Sequence, residues 1–384
     1  MYETNLNERK LDLDWALLLG TWGLAVTGVF FIYSATGEGS QAQPLYRQMF
    51  FLQIIWFVAG LGAAAAACLA DYGKLARWSR PVYWAAIGSL VAVFVIGKVV
   101  QGGRRWISLG FLRIQPAEFA KIAFIFLMAE FLSRPVEELR RPRFFFAALG
   151  YTALPFALIL MEPDLGSALV FLTVCLAMMF VAGVPNRFLR RLAGGAFPLA
   201  ALLVAVVLFA PPKFAFVKSY QKARLLSYFG LGDKKEMAAE NYQVNQSLIS
   251  VGSGGWFGKG WRQGTQHELG FLPKKEAHND FIFSVIAEEE GFVGSVAVLA
   301  LYSVLLFSGI KVAIQARDRL GQLLAVGVVT LLFTHVFINI GMNIRLMPVT
   351  GIPLPLLSYG GSSVVCSLIA IGVLHNVHIY RKSY

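Results

Sequence analysis

Long apolar runs separated by short polar segments dominate this chain. Stretches of about 18 to 25 residues, each long enough to cross roughly 30 Å of hydrocarbon, fall near 14–34, 50–69, 81–99, 116–132, 144–160, 165–182, 193–210, 281–308, 321–342 and 357–378. The pattern predicts an all-α integral membrane protein with ten transmembrane helices, one polytopic domain over residues 1–384, and a single long polar interruption, 211–280. The first run is long and follows the mixed-charge segment Glu3 to Asp14, so it is expected to persist as a helix and not to act as a cleavable signal.

Composition agrees: 57% of residues are apolar and 15% charged, with a mean hydropathy of +0.62, which excludes both a soluble domain and a disordered chain. The net charge of +12 sits in short segments between apolar runs, a placement that suits an anionic lipid surface and not nucleic acid. Cys68, Cys175 and Cys366 lie inside apolar runs and read as small core residues. Lys and Arg number 17 in one alternate set of short segments and 6 in the other, so both termini are predicted cytoplasmic and 211–280 extracytoplasmic. Within that loop, Phe216 to Phe229 has the spacing of a basic amphipathic helix, lying on the bilayer or packed on the bundle.

Acidic side chains at or in a bilayer are costly, which makes each a functional candidate. His278-Asn279-Asp280 places a carboxylate at the outer mouth of the eighth span, either as a helix cap or as chemistry. Glu288, Glu289 and Glu290 follow in the same apolar stretch. Three adjacent acids cannot all face lipid, so at least one is expected to meet a polar cavity or a neighbouring cation. Pro116 opens the fourth span, and Glu118 and Lys121 share one of its faces as an i,i+3 ion pair, or as a lysine that meets phosphate and a glutamate that holds it. Upstream, Gly102-Gly103-Arg104-Arg105-Trp106 offers cations and an aromatic ring suited to a pyrophosphate group or to interfacial anchoring. Glu162-Pro163-Asp164-Leu165-Gly166 forms a tight turn between the fifth and sixth spans. Pro348 to Ser363 holds three prolines and three glycines in sixteen residues, which forbids a regular helix through its first half and predicts an external re-entrant segment carrying Ser358, Ser362 and Ser363. Zinc-type ligand spacing, a nucleotide-binding glycine loop and a Gly-x-Ser-x-Gly elbow are all missing from the sequence, so no nucleotide cofactor or serine nucleophile is expected.

Taken together, Gly103 to Trp106, Gln115-Pro116 with Glu118 to Lys121, Glu162 to Gly166, Gly258-Lys259-Gly260-Trp261, His278 to Phe283 with Ala287-Glu288-Glu289, and Pro348 to Ser363 resemble the SEDS family of cell-wall polymerases, most closely its RodA branch. The resemblance implies a ten-helix fold in the bacterial cytoplasmic membrane. It also implies a peptidoglycan glycosyltransferase that polymerises lipid II on the outer membrane face during elongation, with a class B penicillin-binding protein as transpeptidase partner. The family's essential loop aspartate maps onto Asp280, as general base. Arg104, Arg105, Trp106, Glu118, Lys121, Asp164, Ser358 and Ser362 are then candidates for the substrate and its pyrophosphate, with His278, Glu288 and Glu289 supporting. Pyrophosphate needs charge neutralisation, from these cations or from a divalent cation, Mg or Mn, with Asp280 as a possible ligand. A lipid-carrier flippase and a non-catalytic scaffold for cell-wall enzymes are the competing readings of the same residues.

Overall fold

A computed structural model describes residues 13–37, 44–100, 103–109, 112–192, 194, 234–272 and 276–381. The expected seventh span, apart from residue 194, and the segment Phe216 to Phe229 lie outside the described residues. The other nine predicted spans each correspond to a helix. They are α1 (Trp15–Thr36), α2 (Met49–Leu69), α4 (Ser79–Ile96), α5 (Pro116–Leu132), α7 (Pro142–Met161), α8 (Leu165–Val181), α11 (Ile282–Ile314), α12 (Arg319–Asn343) and α13 (Gly361–Tyr380). Among the described residues, seven of these are long and apolar enough to cross a membrane, and α8 is a shorter apolar helix. Short helices α3 (Tyr72–Arg77) and α6 (Val136–Leu139) turn the chain at one end of the bundle.

Lipid, not water, is the solvent of this fold. On α1, Trp15, Leu19, Trp22, Val26 and Phe30 are exposed at helical spacing while Leu17, Leu24 and Phe31 are buried, so apolar side chains occupy both faces. Without a hydrophobic drive between helices, close backbone approach does the packing. α13 lies against α2 so tightly that a Cβ on Gly372 would sit 2.7 Å from the Ala64 carbonyl oxygen. Helices α12 and α13 form the inner layer, mostly buried, while α2, α4 and α7 present most of their surface outward.

Connections at the end where α5, α8 and α13 begin are the elaborate ones. Between α4 and α5 runs a three-stranded antiparallel sheet, β1 (Lys98–Val100), β2 (Gly103–Leu109) and β3 (Leu112–Ile114), with an irregularity where Lys98 pairs with Trp106 but Val99 with Arg104. The described part of the long polar segment holds α9 (Lys234–Ser253) and α10 (Thr265–Glu268). After α9 the chain splices into a break in α11. Gly291 takes φ 67° and ψ −157°, which frees the carbonyls before it and the amides after it. The amides of Lys259 and Gly260 donate to the carbonyls of Glu288 (3.0 Å) and Glu289 (2.8 Å), and those of Phe292 and Val293 donate to Gly255 (2.8 Å) and Trp256 (3.1 Å). Two carbonyls and two amides freed by the break thus find partners, as burial favours. Residues 292–314, roughly 34 Å long as a helix, suffice to span the bilayer. The glutamates therefore lie in a separate N-terminal piece of α11, above that span.

Candidate functional site

Three consecutive turns of α12 carry His335, Asn339 and Asn343 on one face, each at most 4% exposed. Their spacing of four residues makes a polar ladder inside an otherwise apolar helix. Asn339 and Asn343 both donate to the backbone carbonyl of Asp280, at 3.1 and 3.0 Å. Asn339 donates also to the Ile352 carbonyl at 2.8 Å. Asn343 Oδ1 accepts from Ser284 at 2.5 Å, which ties in the start of α11, and Ser247 of α9 donates to the Asn343 carbonyl at 2.9 Å. Two amides thus fix the backbone of Asp280. The residue is half-buried, and a Cβ on Gly351 would lie 3.5 Å from its Oδ2. The helix cap itself is Phe281, not Asp280.

Lys121 and Glu118 form the expected i,i+3 pair at 2.7 Å, and both are buried, at 2% and 4% exposure. The lysine reaches across to His335 Nε2 at 2.9 Å. Because an ammonium only donates, that nitrogen must be the unprotonated one. The same ring hydrogen-bonds to the backbone of Pro353, which binds the buried cation to the irregular segment after α12.

Segment 344–360 is irregular yet largely buried, with Ile352, Leu354, Leu356 and Leu357 nearly inaccessible. Irregular backbone at this depth is tolerated only when protein satisfies it. Ser358 does much of that: its hydroxyl donates to the Asn279 carbonyl at 2.5 Å and accepts from the Leu354 amide at 2.8 Å, while Gln53 of α2 donates to its carbonyl at 3.1 Å. Tyr302 donates to the Pro355 carbonyl at 2.5 Å, and the Tyr359 amide to the His278 carbonyl at 2.9 Å, with the two rings edge to face. Ser362 accepts from the Gln115 amide at 3.1 Å, joining α13 to the start of α5. Both hydroxyls are engaged within the protein.

The two adjacent arginines part company. Arg105 donates to the carbonyls of Glu162 (3.1 Å) and Pro163, and lies 3.8 Å from Asp164. Arg104 is exposed and donates to Phe94 at the end of α4. Trp106 is half-buried in β2. Asp164 caps α8, accepting from the amide and hydroxyl of Ser167, each at 3.0 Å. The turn abuts the irregular segment: a Cβ on Gly166 would come within 2.6 Å of Ile352 and 2.8 Å of Thr350. Glu162 is buried with Oε1 unpartnered, and burial beside Asp164 pushes its pKa up to about 8 despite Arg105. Oε1 of Glu162, Oδ1 of Asn279 and Oγ1 of Thr350 are buried acceptors without a hydrogen-bond partner around this segment.

Glu288 and Glu289 face different neighbours. Glu288 accepts from Lys259 at 2.6 Å and from the Thr265 and Gln266 amides at 2.8 and 3.1 Å, clamping the loop after α9. Glu289 accepts from Ser34 of α1 at 2.5 Å. Sequence reasoning missed His335, Asn339 and Asn343, although polar residues every fourth position in an apolar span were a readable signal.

The family model of cell cycle proteins of the FtsW, RodA and SpoVE type matches residues 15–383. Peptidoglycan glycosyltransferase MrdB of Escherichia coli K12 is 34% identical over 377 residues, covering 97% of this chain and 95% of that protein. Stage V sporulation protein E of Bacillus subtilis is 37% identical, covering 98% and 100%. Among solved structures, a chain from a study of polymerisation and crosslinking by a peptidoglycan synthase complex superposes with a TM-score of 0.79 at 29% identity, covering 97% and 100%. Thermus thermophilus RodA does so at 0.70 and 28%, covering 98% and 99%. With a match along nearly the whole chain, this polytopic membrane protein belongs to the SEDS family, that of FtsW, RodA and SpoVE.

Proposed function

We propose that the chain is a peptidoglycan glycosyltransferase of the RodA type, polymerising lipid II at the outer face of the bacterial cytoplasmic membrane with Asp280 as general base. One observation carries the assignment of the site. Residues 350–353 touch all three candidate groups: Gly351 lies beside the Asp280 carboxylate, Pro353 holds His335 and through it Lys121, and Thr350 and Ile352 pack on the turn that Arg105 grips. A base and two cations thus converge on one segment.

The chemistry follows from that juxtaposition. A 4-hydroxyl of one sugar attacks the anomeric carbon of the next, and its proton passes to the Asp280 carboxylate, which must lie within about 3 Å of it. The carbon–oxygen bond to undecaprenyl pyrophosphate breaks with inversion, and the leaving group keeps the electron pair. Pyrophosphate needs no proton donor, only fixed positive charge, the role assigned to Lys121 and Arg105. Glu118 and His335 hold the Lys121 ammonium in a low-dielectric site, where its charge counts most. Among the described residues no group of three His, Cys, Asp or Glu could hold a metal ion, and no step is routed through a cation.

Orientation comes from charge. The end opposite Asp280 carries Lys74, Arg77, Arg80, Arg134, Arg140, Arg141, Arg143, Lys311, Arg317 and Arg319, so it is assigned to the cytoplasm, with both termini. That leaves the Asp280 mouth on the side where a class B penicillin-binding protein would crosslink the product. Purified protein in liposomes supplied with lipid II separates the readings. Polymer from the native chain and none from Asp280→Asn supports the base. Translocated lipid without polymer would make the protein a flippase, and neither outcome a scaffold.

A further inference from the structure

Far from the Asp280 mouth, where α7 begins and α8 ends, six exposed arginines gather: Arg140, Arg141, Arg143, Arg187, Arg190 and Arg191. Two separate connections supply them, and one aromatic contact, Phe145 with Phe188, joins the two. Phe145 stacks on Phe188 with ring centroids 5.2 Å apart, Arg143 lies over Phe144 at 4.8 Å and Arg187 over Phe188 at 5.0 Å. The acids nearby do not balance them. Glu138 is 3.9 Å from Arg134, which leaves Glu137 as the exposed carboxylate of the α6 turn. Immediately along the two helices the surface becomes apolar: Phe146 is 66% and Phe180 64% exposed, both at membrane-facing positions. A cluster of cations at the water end of two spans, continuous with exposed aromatic rings at the hydrocarbon edge, has the chemistry of an amphiphile with an anionic head.

We infer that this patch is a binding site for anionic phospholipid, its phosphodiester held by the arginines of both connections and its acyl chains lying along Phe146 and Phe180. Guanidinium groups suit the role because each offers paired N–H donors to phosphate oxygens and is weakly hydrated. Phosphatidylethanolamine, with its own ammonium, would satisfy the patch poorly. The site lies a full helix length from the Asp280 mouth, so it stands or falls independently of the glycosyltransferase assignment.

Native mass spectrometry of the full chain, released from micelles containing phosphatidylglycerol or phosphatidylethanolamine, tests this. The expected result is selective retention of phosphatidylglycerol, weakened at least tenfold by the triple substitution Arg140→Gln, Arg141→Gln, Arg143→Gln and likewise by Arg187→Gln, Arg190→Gln, Arg191→Gln. Lys311→Gln, at the same end of the bundle but beside Asp14 at the start of α1, should retain it fully. Unchanged melting of the triple variants in detergent shows that they fold; if one does not, Arg141→Lys and Arg190→Lys, which keep charge but lose the paired donors, should still weaken retention. Equal retention of both lipids, retention unaffected by both triple substitutions, or displacement of the lipid by inorganic phosphate at equal concentration would overturn the proposal. So would variants that keep phosphatidylglycerol but lose an acidic cytoplasmic protein.

Discussion

Replacing Glu162 by Gln removes a titratable group while keeping its shape, and the structure dictates how pH should separate the two proteins. The side chain is 2% exposed, and burial with Asp164 beside it moves its pKa from 4.5 to about 8. Below 4.5 the folded and unfolded chains both hold the proton. Between 4.5 and 8 the unfolded chain releases a proton that the folded chain keeps, so native stability falls as pH rises, by about 1.4 kcal/mol per pH unit. Above 8 both forms are ionised and the loss is complete. Across pH 5 to 8 it amounts to about 3 kcal/mol. Glu162→Gln has no proton to release and so lacks this slope. The buried amide carries its own cost where its donors lack partners, about 1 to 3 kcal/mol, but that cost does not vary with pH. Thermal unfolding in detergent from pH 5 to 8 is the assay: the stability difference should shift in favour of Glu162→Gln by about 3 kcal/mol across this range. All other titrating groups are common to both proteins and cancel. A difference that stays flat with pH would refute the buried neutral acid, whatever its sign.

Lys121→Ala should abolish polymerisation and destabilise the protein by about 3 to 5 kcal/mol, because Glu118 is left buried without its cation. Pairing Lys121→Met with Glu118→Gln should restore melting while activity stays lost; recovery of polymer synthesis by that pair would reduce Lys121 to a structural role. Asn339→Ala and Asn343→Ala each remove one donor from the Asp280 carbonyl. Each is expected to slow polymerisation, and the double variant to show coupling of about 0.5 to 3 kcal/mol in a double-mutant cycle, with additive effects counting against a shared role. Gly291→Ala places a Cβ 2.8 Å from the Phe257 nitrogen on a left-handed backbone, so residues 254–260 should lose hydrogen-exchange protection together with the start of α11.

What was legible in the sequence was whatever lipid enforces locally. A span must be apolar for its whole length, so the expected 14–34, 116–132 and 165–182 fall within two residues of α1, α5 and α8. Glu118 and Lys121 were readable as a pair because one turn of helix brings them together. The sheet between α4 and α5 was not foreseen. Arg104 to Trp106 looked like an interfacial loop, since its partners at Lys98 to Val100 continue the preceding apolar run without a break in pattern. The eighth span was placed as one helix over 281–308. A lone glycine after three acids does not announce that residues 255–260 will fill the gap it opens, for those partners lie some thirty positions upstream.

The same limit explains how the candidate site was read. Acids were singled out because an ionised group in a bilayer is costly wherever it lies, which is a local argument. Whether an acid acts or braces depends on which neighbours reach it, which only the fold decides. Glu288 is fully enclosed by donors from Lys259, Thr265 and Gln266, so its charge is already answered and it serves as a brace. Asp280 is held differently: its backbone carbonyl takes both asparagine amides of α12, and its side chain lies beside Gly351. Two amides on its carbonyl thus position the residue through its backbone. The role proposed for Asp280 as general base would use that backbone positioning, and it rests on Asn339 and Asn343, two residues that carry no charge and that no argument from acidic side chains could have found.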